Sequence, residues 1–144
     1  MNAGSIDKVA MVARSEESRA ATAHQQQQEL ATQSQQRLGQ LEQFRAEYEE
    51  RLKSMASGGM DARQMADYRR FLAGLNDAIE RQNEEVVRTE ESVAGSREQL
   101  LQRSMRRESI DTLADRTRAA MLQAEERRDQ LKSDELAMER HQGE

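Results

Sequence analysis

Every aromatic side chain in the sequence lies within residues 44 to 72, FRAEYEERLKSMASGGMDARQMADYRRFL, where Phe44, Tyr48, Tyr68 and Phe71 flank the adjacent glycines Gly58 and Gly59. Rings supply apolar anchors for binding rather than groups that make or break bonds. The groups that could do covalent chemistry are sparse or badly placed. His24 and His141 stand at opposite ends of the chain, and cysteine is absent. That excludes thiolate metal ligands, disulfides and cysteine nucleophiles, and it argues against a histidine metal site. Carboxylates are plentiful, but on solvated helices they have no pocket to perturb their titration, and no segment forms a phosphate loop. The sequence therefore predicts no catalytic residue, no cofactor and no metal. Its chemistry is recognition.

The elements that must position the rings follow from composition. At 35% hydrophobic, 34% charged and 3% aromatic residues, with a mean hydropathy of -1.02, the chain is too poor in bulky apolar groups for a layered globular core. It is rich in Ala, Glu, Arg, Gln, Leu and Met, and has no proline. That profile fits long helices or disorder, between which periodicity decides. No apolar run approaches the roughly 20 residues of a membrane span, and the first 30 residues lack a signal-peptide core, so a cytoplasmic protein without direct membrane insertion is expected. The net charge of -5 argues against nucleic acid as a partner, as does the balance of nine basic and nine acidic side chains over residues 101 to 143. The cluster Arg103, Arg106 and Arg107 reads as a solvated helix face.

Periodicity identifies a coiled coil. With Met65 as position a, the following a positions are Leu72, Ile79, Val86, Val93 and Leu100. The d positions run Tyr68, Leu75, Gln82, Thr89, Ser96, Arg103, Ile110, Thr117, Ala124, Leu131 and Met138. This seam is strong up to Ile79, thin at Gln82, Thr89 and Ser96, and broken at Arg103 and Arg107. The first half carries a weaker row, Leu38, Leu41, Arg45, Tyr48, Leu52 and Met55, with Ile6, Val9 and Ala13 starting another near the beginning. The glutamine tract at 24 to 36 reads as helix with a loosely specified interface in which Leu30 is the one large apolar residue. Glu47 with Arg51, Glu49 with Lys53, Asp77 with Arg81 and Glu84 with Arg88 form favourable i,i+4 pairs.

Between the two rows, SGGMDARQM reads as a helix stop followed by a start. Gly58 or Gly59 takes the left-handed conformation, Asp61 caps the next helix with Gln64 three residues on, and Met60 faces Met65 as a hydrophobic staple. The expected fold is all-α, a two-helix antiparallel coiled-coil hairpin with a longer second helix, in one domain spanning 1–144. Helix 1 covers about 5–57, the loop 58–60 and helix 2 about 61–140. Met55 then pairs with Met65, Leu41 with Ile79, Leu30 with the Glu90 region, and Ile6 to Val9 with Ile110 to Ala114. Residues 117–144 have no partner from helix 1, so Met121, Leu122, Leu131, Leu136 and Met138 form either a docking surface or a fraying tail. In this frame Tyr48, Tyr68 and Leu72 are seam residues. Phe44 and Phe71 occupy g positions, which share one edge of an antiparallel pair and form a recognition patch there.

The segments LEQFRAEYEERL and MDARQMADYRRFLAGLNDAIERQ, joined by a glycine-bearing loop, resemble the FliJ family of flagellar export proteins, most closely over Tyr68 to Ile79. The likeness in plan covers nearly the whole chain. It implies a non-enzymatic coiled coil of the flagellar type III export apparatus, similar to the stalk subunit of rotary ATP synthases, that inserts into the hexameric export ATPase ring, contacts the cytoplasmic part of the export gate and handles export chaperones. It also implies a location in the cytoplasm at the inner face of the cell membrane, at the flagellar base. Carried over by motif, the gate-contacting stripe falls on Leu41, Phe44, Tyr48, Phe71, Leu75 and Ala78, with Arg37 and Gln82 at its ends, outside the assigned set. The ATPase contacts fall on Ile6, Val9, Ala13, Met121, Leu122 and Leu131. The alternatives are a generic coiled-coil scaffold or the stalk protein of a virulence type III secretion system. A membrane-surface amphipathic protein is disfavoured by the balanced charge.

Overall fold

A computed structural model describes residues 2–143; Met1 and Glu144, the extremes of the expected 1–144 domain, lie outside them. Two helices make the fold: α1, Ala3–Ser57, and α2, Ala62–Gln142, of 55 and 81 residues. The protein is an all-α antiparallel hairpin whose second helix is the longer, and the described residues contain no strand. Three local devices set the ends. Asn2 caps α1 by accepting the Ser5 amide at 2.8 Å, so the helix begins at Ala3, two residues before the expected start at about residue 5. At the other end Gly58 N donates to Met55 O at 3.1 Å, and Gly59 turns the chain at φ 89°, a conformation that costs a residue with a Cβ. Asp61 then accepts the Gln64 amide at 2.8 Å and opens α2.

Tertiary contacts divide the chain into two units: Met1–Ala20 with Leu100–Glu144, and Ala21–Gln99. In the unit formed by Ala21–Gln99 the buried apolar residues are Leu75 and Ile79, at d and a of the heptad frame. All the a and d positions from Met65 to Ser96 are buried or half-buried, because the heptad spacing turns each of them, apolar or polar, toward the facing helix. The seam becomes polar where the sequence is thin. The buried Ser34 receives Gln82 Nε2 on its carbonyl at 2.9 Å and on its hydroxyl at 3.1 Å, and His24 Nδ1 lies 2.7 Å from Ser96 Oγ. Ser96 Oγ donates to Val93 O at 2.9 Å. That assigns His24 Nδ1 as the donor in the pair with Ser96, provided each proton is used once.

Three expectations for this unit change. Leu30 is 50% exposed and stands off the seam, whose layers run instead through Gln27, Ala31 and Ser34. It is large, but the spacing of three and four passes it by. The Glu90 region is met by Gln35, whose Nε2 reaches Glu90 Oε1 at 3.2 Å. Arg88 pairs with Glu85, one residue closer than Glu84, at 2.7 Å.

In the unit formed by Met1–Ala20 with Leu100–Glu144, the core is small: Ile6, Ala10, Ala13 and Ala114. Ala10 takes the buried place assigned to Val9, which is half-buried. Charges complete the interface. Arg103 reaches Glu16 at 2.8 Å with Arg106 behind it at 3.6 Å, and Arg107 reaches Glu17 at 3.2 Å. Asp111 accepts from both Arg14, at 3.2 Å, and Arg107, at 3.4 Å. The arginines read from sequence as a break in the seam and a solvated face are thus paired across it. The Glu17 hydrogen bond, and after it the Coulomb attraction of that carboxylate, holds the Arg107 guanidinium above its ordinary pKa. Arg118 reaches Asp7, so the contact with α1 extends one residue beyond the expected start of the tail. From Ala119 to Gly143 every residue is exposed.

Candidate functional site

The heptad frame places one ring on each of four turns next to the Gly58–Gly59 loop, and the antiparallel pairing brings them together. Tyr48 is the hub. Its ring stacks on Phe71 with centroids 4.3 Å apart and 26° between planes, and it meets Phe44 edge-on at 5.1 Å and Tyr68 at 6.0 Å. Phe44 and Phe71 complete the cluster at 6.1 Å and 74°. The Arg51 guanidinium carbon lies 5.8 Å from the Tyr48 ring centre. The two tyrosines are half-buried, whereas Phe44 and Phe71 are 43% and 42% exposed. Seam rings therefore support two flanking rings that remain partly exposed to solvent.

Around this cluster the residues of the expected stripe divide by burial. Leu41 and Ala78 are half-buried, and Leu75 is buried. Leu75 can shape the surface, but it offers a partner little area. Leu41 and Phe44 also line an open groove of about 470 Å³ with Arg37, Gln40 and Gln82. Gln82 and Arg37 were set at the ends of the stripe, outside it, and Gln40 was missed. The signal for Gln82 was its place at a d position opposite a serine-bearing turn, where an amide bonded to Ser34 is held at the groove wall instead of filling the seam. The groove is part apolar ring and part amide and guanidinium, a surface suited to an apolar anchor with polar groups around it.

The second expected set does not form one surface. Ile6 and Ala13 are buried against α2, so they hold the unit closed and cannot contact a partner without opening it. Val9 is half-buried, while its neighbours Met11 and Val12 are exposed. Met121, Leu122 and Leu131 lie on the uncovered stretch of α2, Leu131 with 63% of its surface exposed. Among the described residues no group of His, Asp and Glu is arranged to hold a metal, and no helix is long and apolar enough to cross a membrane.

The family model described as Flagellar FliJ protein matches residues 2–144. No curated protein and no solved structure matches the chain.

Proposed function

Since this chain belongs to the FliJ family of flagellar proteins, a family of non-catalytic export components, we propose that it serves as the stalk of the flagellar type III export apparatus. In this reading the aromatic cluster binds the cytoplasmic domain of the export gate, with Phe44 and Phe71 as anchors and Leu41, Tyr48, Leu75 and Ala78 shaping and supporting the surface. The uncovered part of α2, with Met121, Leu122 and Leu131, enters the hexameric export ATPase ring together with the segment around Val9. Export chaperones that have delivered their cargo are further partners. The protein works in the cytoplasm, held peripherally at the inner face of the cell membrane at the flagellar base. Flagellum assembly and motility, and chemotaxis through them, depend on it.

The observation that carries this reading is the pair of half-exposed phenylalanine rings held at 6.1 Å by a stacked tyrosine. A surface phenylalanine is costly to keep in water and expensive to order, and two of them preorganised side by side, with Phe44 lining the groove, form a binding anchor. The test is ATP hydrolysis by the purified flagellar export ATPase, titrated with the intact protein, with a Phe44→Ala/Phe71→Ala variant and with a chain truncated after Arg118. Stimulation that survives the double substitution and disappears on truncation is the expected result. An intact protein that neither binds nor stimulates the ATPase would leave a generic coiled-coil scaffold as the better account.

A further inference from the structure

We infer that the free end of α2 pairs with the same stretch of a second copy of this chain, antiparallel, with Leu131 of the two copies in contact. The heptad frame does not stop where α1 does. Ala124, Leu131 and Met138 continue the d row, and Leu131 and Met138 are each 63% exposed. Beside them stand four charged residues, Arg127 and Asp134 at g and Lys132 and Glu139 at e, all exposed. A lone helix of this length is marginal in water, so a neighbour along the stripe stabilises it.

The contacts inside Ala21–Gln99 show what such a pair brings together. There, d residues face each other in the layers Ser34–Gln82 and Tyr48–Tyr68. One residue after Ser34 and eight after Gln82, the e residues Gln35 and Glu90 meet at 3.2 Å. Four residues before Tyr48 and three after Tyr68, the g residues Phe44 and Phe71 lie 6.1 Å apart. The same steps, taken from a layer of two Leu131 side chains, set Lys132 against the second copy's Glu139 and Arg127 against the second copy's Asp134. Two-fold symmetry repeats each pair, so four opposite-charge pairs flank the contact. Seven residues to either side of Leu131, Met138 meets the second copy's Ala124, which adds two apolar layers. A parallel pair sets Arg127 against Lys132 and Asp134 against Glu139, like against like, and the charges thereby select the antiparallel one. The paired stretch, residues 124–142, is about 28 Å long. It has room, because the ion pairs of α1 with α2 end at Asp7 and Arg118. One layer opposes the contact: Glu135, four residues on in both copies, meets its own equivalent. That repulsion, beside flanking pairs that are all exposed, keeps the dimer weak and reversible. A paired chain withholds Leu131 from the ATPase ring of the function proposed above; the pairing itself does not rest on that reading and is measured without the ATPase.

Sedimentation equilibrium of the full chain, at concentrations up to ~1 mM, is expected to show monomer and dimer in exchange. Arg127→Glu/Lys132→Glu in one chain, and Asp134→Lys/Glu139→Lys in another, should each weaken self-association at least ~tenfold. An equimolar mixture of the two variants should recover it, because every flanking pair then joins opposite charges. Glu135→Ala removes the opposing layer and should tighten the dimer. Circular dichroism follows helicity in every chain. An intact chain that stays monomeric would overturn the inference. A mixture that associates no better than its separate components, with helicity unchanged, would overturn it equally.

Discussion

The ring of Tyr48 lies flat on that of Phe71, 4.3 Å away, while its edge meets Phe44. A residue of the coiled-coil seam thus fixes the orientation of both flanking phenylalanines. Tyr48→Ala removes the support without removing either anchor. Its effect on the gate's cytoplasmic domain should be a loss of ~1–2 kcal/mol, about tenfold in affinity, by calorimetry. Tyr48→Phe keeps the ring and should bind as the parent does. Equal losses in the two variants would mean that the hydroxyl, and not the stack, matters.

The turn rests on a different kind of constraint. Gly59 sits at φ 89° with open space around the position of a Cβ, so Gly59→Ala carries backbone strain and no clash. It should lower stability by ~1 kcal/mol, as should Asp61→Ala by removing the acceptor for the Gln64 amide. Thermal melts should show both as shifts of a few degrees. An unchanged melt for Gly59→Ala would show that the turn relaxes freely.

Gly74 and Gly95 behave oppositely. Both lie inside α2, and a Cβ built on either meets nothing within 4 Å. Alanine at each should therefore raise stability by ~0.5–1 kcal/mol through helix propensity alone. Denaturant unfolding of the two single variants checks this, and destabilisation would reveal a need for local bending.

The polar layer of Ser34 and Gln82 should trade stability against shape. Ser34→Ala/Gln82→Leu replaces a satisfied buried hydrogen bond with apolar packing, a change that is neutral or stabilising by up to ~1 kcal/mol. Because Gln82 also lines the groove beside Phe44, the same variant should bind the gate domain more weakly. Greater stability with unaltered binding would separate the groove from recognition.

Much of this was legible in the sequence because a heptad is a strong signal when its a positions are bulky. The frame set by Met65, Leu72 and Ile79 holds, and the g positions of Phe44 and Phe71 give two rings on one edge, as found. Legibility fails where size and spacing disagree. Leu30 is large but out of phase, whereas Ala31 and Ser34 are small and in phase, so reading by bulk chose the wrong layer. The charged layers fail for another reason. Arg103 and Arg107 interrupt an apolar row, and their partners Glu16 and Glu17 lie some ninety residues earlier, a pairing that only the alignment of the helices discloses. The same holds for Ile6 and Ala13, whose apolar character marks core and contact alike until burial separates them.

The central claim is that two half-exposed phenylalanines anchor a partner while the rest of the hairpin carries them. Its most direct test is calorimetric titration of the export gate's cytoplasmic domain into the intact protein and into the Phe44→Ala/Phe71→Ala variant, with circular dichroism run alongside. The account predicts a loss of at least ~2 kcal/mol of binding with helicity unchanged. Undiminished binding by the double variant would contradict it and place the gate contact elsewhere on the protein.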